Sequence, residues 1–130
     1  MPTLADVMRT EVIAVAPEDT LGEVAERMSE VNVGAVVVKD YGRLIGILTE
    51  RDMLKAMAAR VHTSDARVRQ WMTEDPLTAS AEMDVGEASR VMLAHNFRHL
   101  PIVDEAGAVV GLVSLRRVVA ATNAAAHNPA

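Results

Sequence analysis

Gly46-Ile47-Leu48-Thr49-Glu50-Arg51-Asp52 returns later in the same chain, altered, as Gly111-Leu112-Val113-Ser114-Leu115-Arg116-Arg117. Upstream of these stretches an offset of 64 residues lays Met8 on Met72, Glu18 on Glu82, Gly22 on Gly86, Glu23 on Glu87, Met28 on Met92, Asn32 on Asn96 and Asp40 on Asp104. Past that last pair, one extra residue in the second copy makes the offset 65, so Gly42 meets Gly107 and Arg51 meets Arg116. Apolar positions pair as well: Ile13 with Leu77, Val38 with Ile102, Ile45 with Val110 and Ile47 with Leu112. The chain is therefore a tandem duplication. Each copy is about half of 130 residues, too small to bury its own faces well. Two copies packed around a pseudo-two-fold axis are expected.

Each copy carries the same order of signals. Thr20 precedes Leu21, Val24, Ala25, Met28 and Val31, which is helical spacing, and Thr20 with Glu23 makes a capping-box pattern. Asp84 and Glu87 take those places in the second copy. A β-rich run follows at Val33–Lys39, or Phe97–Val103, then a turn at Asp40-Tyr41-Gly42, or Asp104–Gly107. A second strand is expected at Arg43–Leu48, or Ala108–Val113, and a last helix from Thr49, or Ser114. A short strand, Val12–Val15 or Leu77–Ala79, should open each copy. The fold class is α+β, two β-α-β-β-α repeats. Their expected bounds are 4–60 and 68–121, with a polar linker at 61–67 and a frayed, alanine- and asparagine-rich tail at 122–130.

Composition narrows the function. Half the residues are hydrophobic and 24% are charged, which suits a cored domain rather than a disordered tail. Cysteine is absent, so disulfides, thiolate metal sites and cysteine nucleophiles are excluded. The net charge is −5 and the aromatic residues are Tyr41, Trp71 and Phe97, which disfavours nucleic acid as a partner. Arg116 and Arg117 make a local basic spot. Apolar runs are too short to span a membrane. Met1–Thr10, with Asp6 and Arg9, has no apolar secretory segment, and a cytoplasmic location is expected. His62, His95 and His127 have no metal-ligand spacing, and no hydrolase or phosphate-loop motif is present. No metal is expected.

Three runs, GILTERD at Gly46–Asp52, FRHLPIVDEAG at Phe97–Gly107 and GLVS at Gly111–Ser114, resemble those of a tandem pair of CBS domains, a Bateman module. The resemblance covers about Leu4 to Ala121. It implies two sheets with clefts between them that take adenine nucleotides or adenosyl ligands. It also implies a small regulatory protein with no required cofactor.

Thr49 and Asp52 can be read in two ways. A strand delivers Thr49 to a helix start, where free backbone N–H groups favour an anion, and Asp52 can accept from two ribose hydroxyls. Thr-x-x-Asp is equally an ordinary helix cap. The resemblance assigns Asp52 to a ribose and Thr49 beside it. Arg98 and His99 would contact phosphate from the other repeat, although a solvated arginine and an interface histidine would look the same. Ile47, Met72, Leu77 and Phe97 would wall the adenine by family position, and each also suits a core. The second site is degenerate. Ser114 matches Thr49, but Arg117 stands where Asp52 does and cannot accept from a ribose. Its expected companions are Gly34, Ala35 and Ile13, which carry no charge.

One competent cleft is therefore expected, sensing AMP first, with ADP, ATP, NAD or S-adenosylmethionine as alternatives. The chain would be a homodimer acting on an effector protein, with Met53, Leu54, Met57 and Ala58 on the pairing helix. Met28 and Met92 read as core. A ligand-free dimerisation or protein-interaction platform is the competing function. A hydrolase using His99 as base lacks a nucleophile or metal set.

Overall fold

The computed structural model describes residues 2–127, with side chains placed through residue 124. In chain order the elements are α1 (Leu4–Val7), β1 (Ala14–Val15), α2 (Leu21–Val31), β2 (Ala35–Asp40), β3 (Arg43–Thr49), α3 (Glu50–Ala58), α4 (Val68–Trp71), β4 (Thr73–Glu74), α5 (Val85–His95), β5 (His99–Val103), β6 (Val109–Ser114) and α6 (Leu115–His127). They form two compact units, one of residues 13–76 and one of residues 1–12 with 77–130.

The unit of residues 13–76 is built on one sheet in the order β1-β2-β3-β4. β1 runs parallel to β2, and the pairs β2–β3 and β3–β4 are antiparallel. The Asp40-Tyr41-Gly42 hairpin turns back at Tyr41 and Gly42, both at positive φ, the conformation glycine adopts without steric cost. α2 starts at a complete capping box. Glu23 N–H donates to the Thr20 hydroxyl at 3.2 Å, and Thr20 N–H donates to Glu23 Oε1 at 3.2 Å. Its apolar face, Leu21, Val24 and Met28, packs on Val36, Val38, Leu48 and Ala56. Ala35 and Val37 alternate to the other face of β2 and are buried too.

The second unit repeats this plan. β5 and β6 are antiparallel. Val85, Ala88 and Met92 of α5 pack on Leu100, Ile102, Val113 and Val118. α2 and α5 both end at an asparagine in the left-handed region, Asn32 and Asn96, at φ 56° and 57°. The side chain of Asp84 caps α5 by accepting from Gly86 and Glu87 N–H.

Several elements differ from the sequence expectation. The strand expected over Val12–Val15 is confined to Ala14–Val15. The strand expected over Leu77–Ala79 is reduced to one parallel bridge between Ala79 and Ile102, because the next rung toward Leu77 would need an N–H from Pro101, which has none. Two short helices, α1 and α4, stand in stretches with no long apolar period. α6 continues to His127, past Ala121, and Thr122 donates its hydroxyl to the Val118 carbonyl at 2.9 Å. The part of the expected tail at residues 128–130 lies outside the described residues.

The opening segment of each repeat folds with the other repeat's helices and strands. Leu4 and Ala5 N–H donate to the Met83 and Ala81 carbonyls, and Arg9 exchanges both backbone hydrogen bonds with Leu112. Correspondingly, Val68 and Arg69 N–H donate to the Asp19 and Pro17 carbonyls, while Thr73 and Glu74 pair with Ile47 and Gly46. Residues 61–67 are tied down as well: Leu21 and Gly22 N–H donate to the Ala66 and Thr63 carbonyls.

Candidate functional site

In the unit of residues 13–76, β3 runs straight into α3, and Thr49 is the junction. Its hydroxyl accepts from Asp52 N–H at 3.3 Å, while Thr49 N–H and hydroxyl donate to Asp52 Oδ2 at 2.9 and 3.1 Å. Asp52 is 7% exposed, the one buried charged side chain among the described residues. A buried carboxylate needs such donors to offset its desolvation. Oδ1 stands outside the capping box. The helix start is also flanked by strand backbone: Glu50 N–H donates to the Gly34 carbonyl at 3.0 Å, and Ala35 lies opposite Thr49 in the β2–β3 register. Gly34 and Ala35 thus bring backbone and no bulk to the edge of this position.

Ile47 and Met72 belong to the same unit. Ile47 is buried, two residues before Thr49, and opposite Thr73. Met72 is half-buried and its thioether lies over Gly46: an ideal Cβ there would stand 2.6 Å from Met72 Sδ. Ile13 is half-buried against the core, and its carbonyl accepts from Val37 N–H.

The other unit contains Leu77, Phe97, Arg98, His99, Ser114 and Arg117. Its β6–α6 junction echoes Thr49–Asp52 with different chemistry. Ser114 Oγ accepts from Arg117 N–H at 3.3 Å, so the serine caps α6. The first turn of α3 carries Glu50 and Asp52, whereas the first turn of α6 carries no acid. Arg98 and His99 sit beside this junction: the Arg98 carbonyl accepts from Leu115 N–H at 2.7 Å, and His99 lies opposite Ser114. Arg98 is exposed and precedes β5 rather than lying within it; His99 is half-buried at its first position. Phe97 is half-buried and stacks on His95, with ring centroids 5.4 Å apart. Leu77 is 41% exposed.

The structure therefore gathers the sequence-selected residues into two sets: Ile13, Gly34, Ala35, Ile47, Thr49, Asp52 and Met72 in one unit, and the remaining six in the other. Sequence reading missed the role of Gly46 and Gly111 as gaps for methionine, although their alignment with each other was a signal. It also missed α1 and α4, for which Thr3-x-x-Asp6 and Arg67-x-x-Gln70 are cap-like patterns; Asp6 accepts from Thr3 N–H and Gln70 from Arg67 N–H. No helix among the described residues is long and apolar enough to cross a membrane.

A family model of the CBS domain matches residues 4–59 and 68–123. An uncharacterized 17.7 kDa protein of Acidianus ambivalens is 39% identical over 87% of this chain and 68% of its own length. The CBS domain-containing protein YhcV of Bacillus subtilis is 36% identical over 88% of this chain and 81% of its own. Among solved structures, the CBS domain pair of protein MJ0100, in complex with 5′-methylthioadenosine and S-adenosyl-L-methionine, is similar with a TM-score of 0.83 and 25% identity, covering 92% of this chain and 98% of that one. CBSX2 of Arabidopsis thaliana in complex with AMP is similar with a TM-score of 0.76 and 25% identity, covering 95% and 98%.

Proposed function

This chain belongs to the CBS-domain family and carries two such domains, and on that premise we propose that it is a non-catalytic regulatory module sensing an adenine nucleotide, AMP first. The observation that carries the reading is buried Asp52 behind Thr49 at the start of α3. Oδ2 serves the cap, and Oδ1 is the acceptor offered to a ribose hydroxyl. Two related CBS pairs, bound to AMP and to S-adenosyl-L-methionine with 5′-methylthioadenosine, support an adenosyl ligand.

Thr49 and Asp52 hold the ribose, Arg98 and His99 meet the phosphate, and Ile47, Met72, Leu77 and Phe97 wall the adenine. A guanidinium favours phosphorylated ligands over free adenosine. The second cleft is degenerate, since Arg117 offers donors where a ribose needs an acceptor. Binding acts by shifting the balance between two packings, to the extent that their affinities differ. The output is an effector protein or an altered homodimer in the cytoplasm. Leu54 and Met57, 65% and 70% exposed on α3, support a helical dimer face.

A ligand-free interaction platform is favoured by one observation: each hydrogen bond between Thr49 and Asp52 is already a capping bond. A thermal-shift panel of AMP, ADP, ATP, NAD, S-adenosylmethionine and adenosine separates the two. At ~100 times its dissociation constant a ligand stabilises by about 2.7 kcal/mol, which for this size raises the melting point by on the order of 10 °C. A shift with phosphorylated ligands that Asp52→Ala abolishes supports the sensor. No shift with any of them leaves the platform.

A further inference from the structure

Met8 and Met72 occupy equivalent positions in the two repeats, and each closes the crossing segment of its own unit onto a glycine. Met72 Sδ lies 2.6 Å from the point a Cβ at Gly46 would occupy, and Met8 Sδ lies 2.5 Å from the same point at Gly111. The Thr73 and Arg9 carbonyls stand 3.0 and 3.1 Å from those points, so each thioether fills a notch floored by a glycine and bounded by backbone. Both methionines pack against a core yet are only half-buried. Met28 and Met92 are sealed inside their cores, and Met57 is 70% exposed. Met53 and Met83 are half-buried against the cores as well, but theirs are not the sulfurs that close on Gly46 and Gly111. Accessibility and a structural task thus coincide at Met8 and Met72, and they coincide twice in one chain.

We infer that Met8 and Met72 are paired sites of reversible oxidation by a peroxide, and that the sulfoxide releases the crossing segment from its sheet. The sulfur lone pair attacks one peroxide oxygen. The O–O bond breaks, an S–O bond forms and water leaves, so sulfur loses two electrons and the peroxide gains them. The product is a polar, chiral side chain. The notch admits sulfur because the facing residue has no Cβ, and a sulfoxide oxygen makes the seated group polar where the thioether packs. The Arg9–Leu112 bridge and the β3–β4 pairing lie next to these sulfurs, so they are the ladders that open. This device does not depend on nucleotide binding.

The test is hydrogen peroxide titration of the full chain, followed by peptide mass spectrometry, melting temperature and amide exchange. Met57, the most exposed of these methionines, should oxidise first, and the Met57→Leu variant shows what its oxidation contributes through the pairing face. Oxidation of Met8 and Met72 should then lower the melting point by several degrees and expose the amides of Arg9, Leu112 and Asp75. Methionine sulfoxide reductases should restore both readouts. A Met8→Leu/Met72→Leu variant, which keeps apolar bulk, should hold its melting point through the same treatment. Sulfoxide at Met8 and Met72 with unchanged stability and exchange overturns the inference, as does an equal fall in the double variant. Should the double variant not fold, Met53→Leu/Met57→Leu/Met83→Leu decides: a reductase-reversible fall that persists supports the inference, and its disappearance overturns it.

Discussion

Asp52 shows why a cap and a binding group are hard to separate at the scale of one residue. Its backbone N–H and Oδ2 complete the box with Thr49, and the geometry serves a helix with or without a ligand. The substitutions differ in what they remove. Asp52→Ala deletes both the cap and the ribose acceptor and should cost about 1 kcal/mol of stability together with ligand response. Asp52→Asn keeps an oxygen for Thr49 N–H and should lose less stability than affinity. Urea unfolding of both variants, beside AMP titration, checks this; parallel losses in both would make Asp52 a cap alone. Glu23 carries a pH prediction. Hydrogen bonds from the Thr20 hydroxyl and N–H hold its carboxyl below the ordinary value. Because the folded value lies below the unfolded one, that stabilisation is present above the ordinary glutamate range and is lost as pH falls through the folded value. Glu23→Gln should flatten the acid side of the stability profile, and an unchanged acid limb would contradict the assignment.

Between elements, what the sequence disclosed and what it hid have separate causes. α2 and α5 were legible because Leu21, Val24 and Met28, and Val85, Ala88 and Met92, recur at helical spacing behind a cap. Asn32 and Asn96 align because both end a helix in the left-handed region, which asparagine tolerates. α1 and α4 were not legible, since four residues give no period to read. Nor was the segment crossing: a duplicated pattern tells which residues correspond, not which copy each folds with. The strand Leu77–Ala79 failed because alternation in three residues is a weak signal. At the candidate site, the pattern marked Thr49 and Asp52, but the burial of Asp52 and the backbone contact with Gly34 are long-range facts. Gly46 makes an element-scale prediction. A methyl group there meets Met72 Sδ and the Thr73 carbonyl, so Gly46→Ala should cost about 1–3 kcal/mol by overpacking. A Gly46→Ala/Met72→Ala pair should recover part of the overpacking strain while losing the methionine's packing. A melting point for Gly46→Ala equal to wild type would refute the notch.

For the whole molecule, the duplication offers two helix starts that have diverged in charge: acid at α3, none at α6. That divergence predicts one nucleotide per chain rather than two. Leu54 and Met57 predict a homodimer. Leu54→Glu with Met57→Glu should yield a folded monomer by light scattering, with a melting point that no longer rises with protein concentration, and a wild-type monomer at micromolar concentration would remove the dimer. In the proposed function, buried Asp52 binds a nucleotide as well as capping a helix. The most direct test is calorimetric titration of AMP into the wild-type chain and Asp52→Asn. One AMP per chain is expected for the wild type, with at least a tenfold weaker affinity for a folded Asp52→Asn variant. Equal affinity in the two, or no heat of binding in the wild type across the other phosphorylated ligands as well, would contradict it.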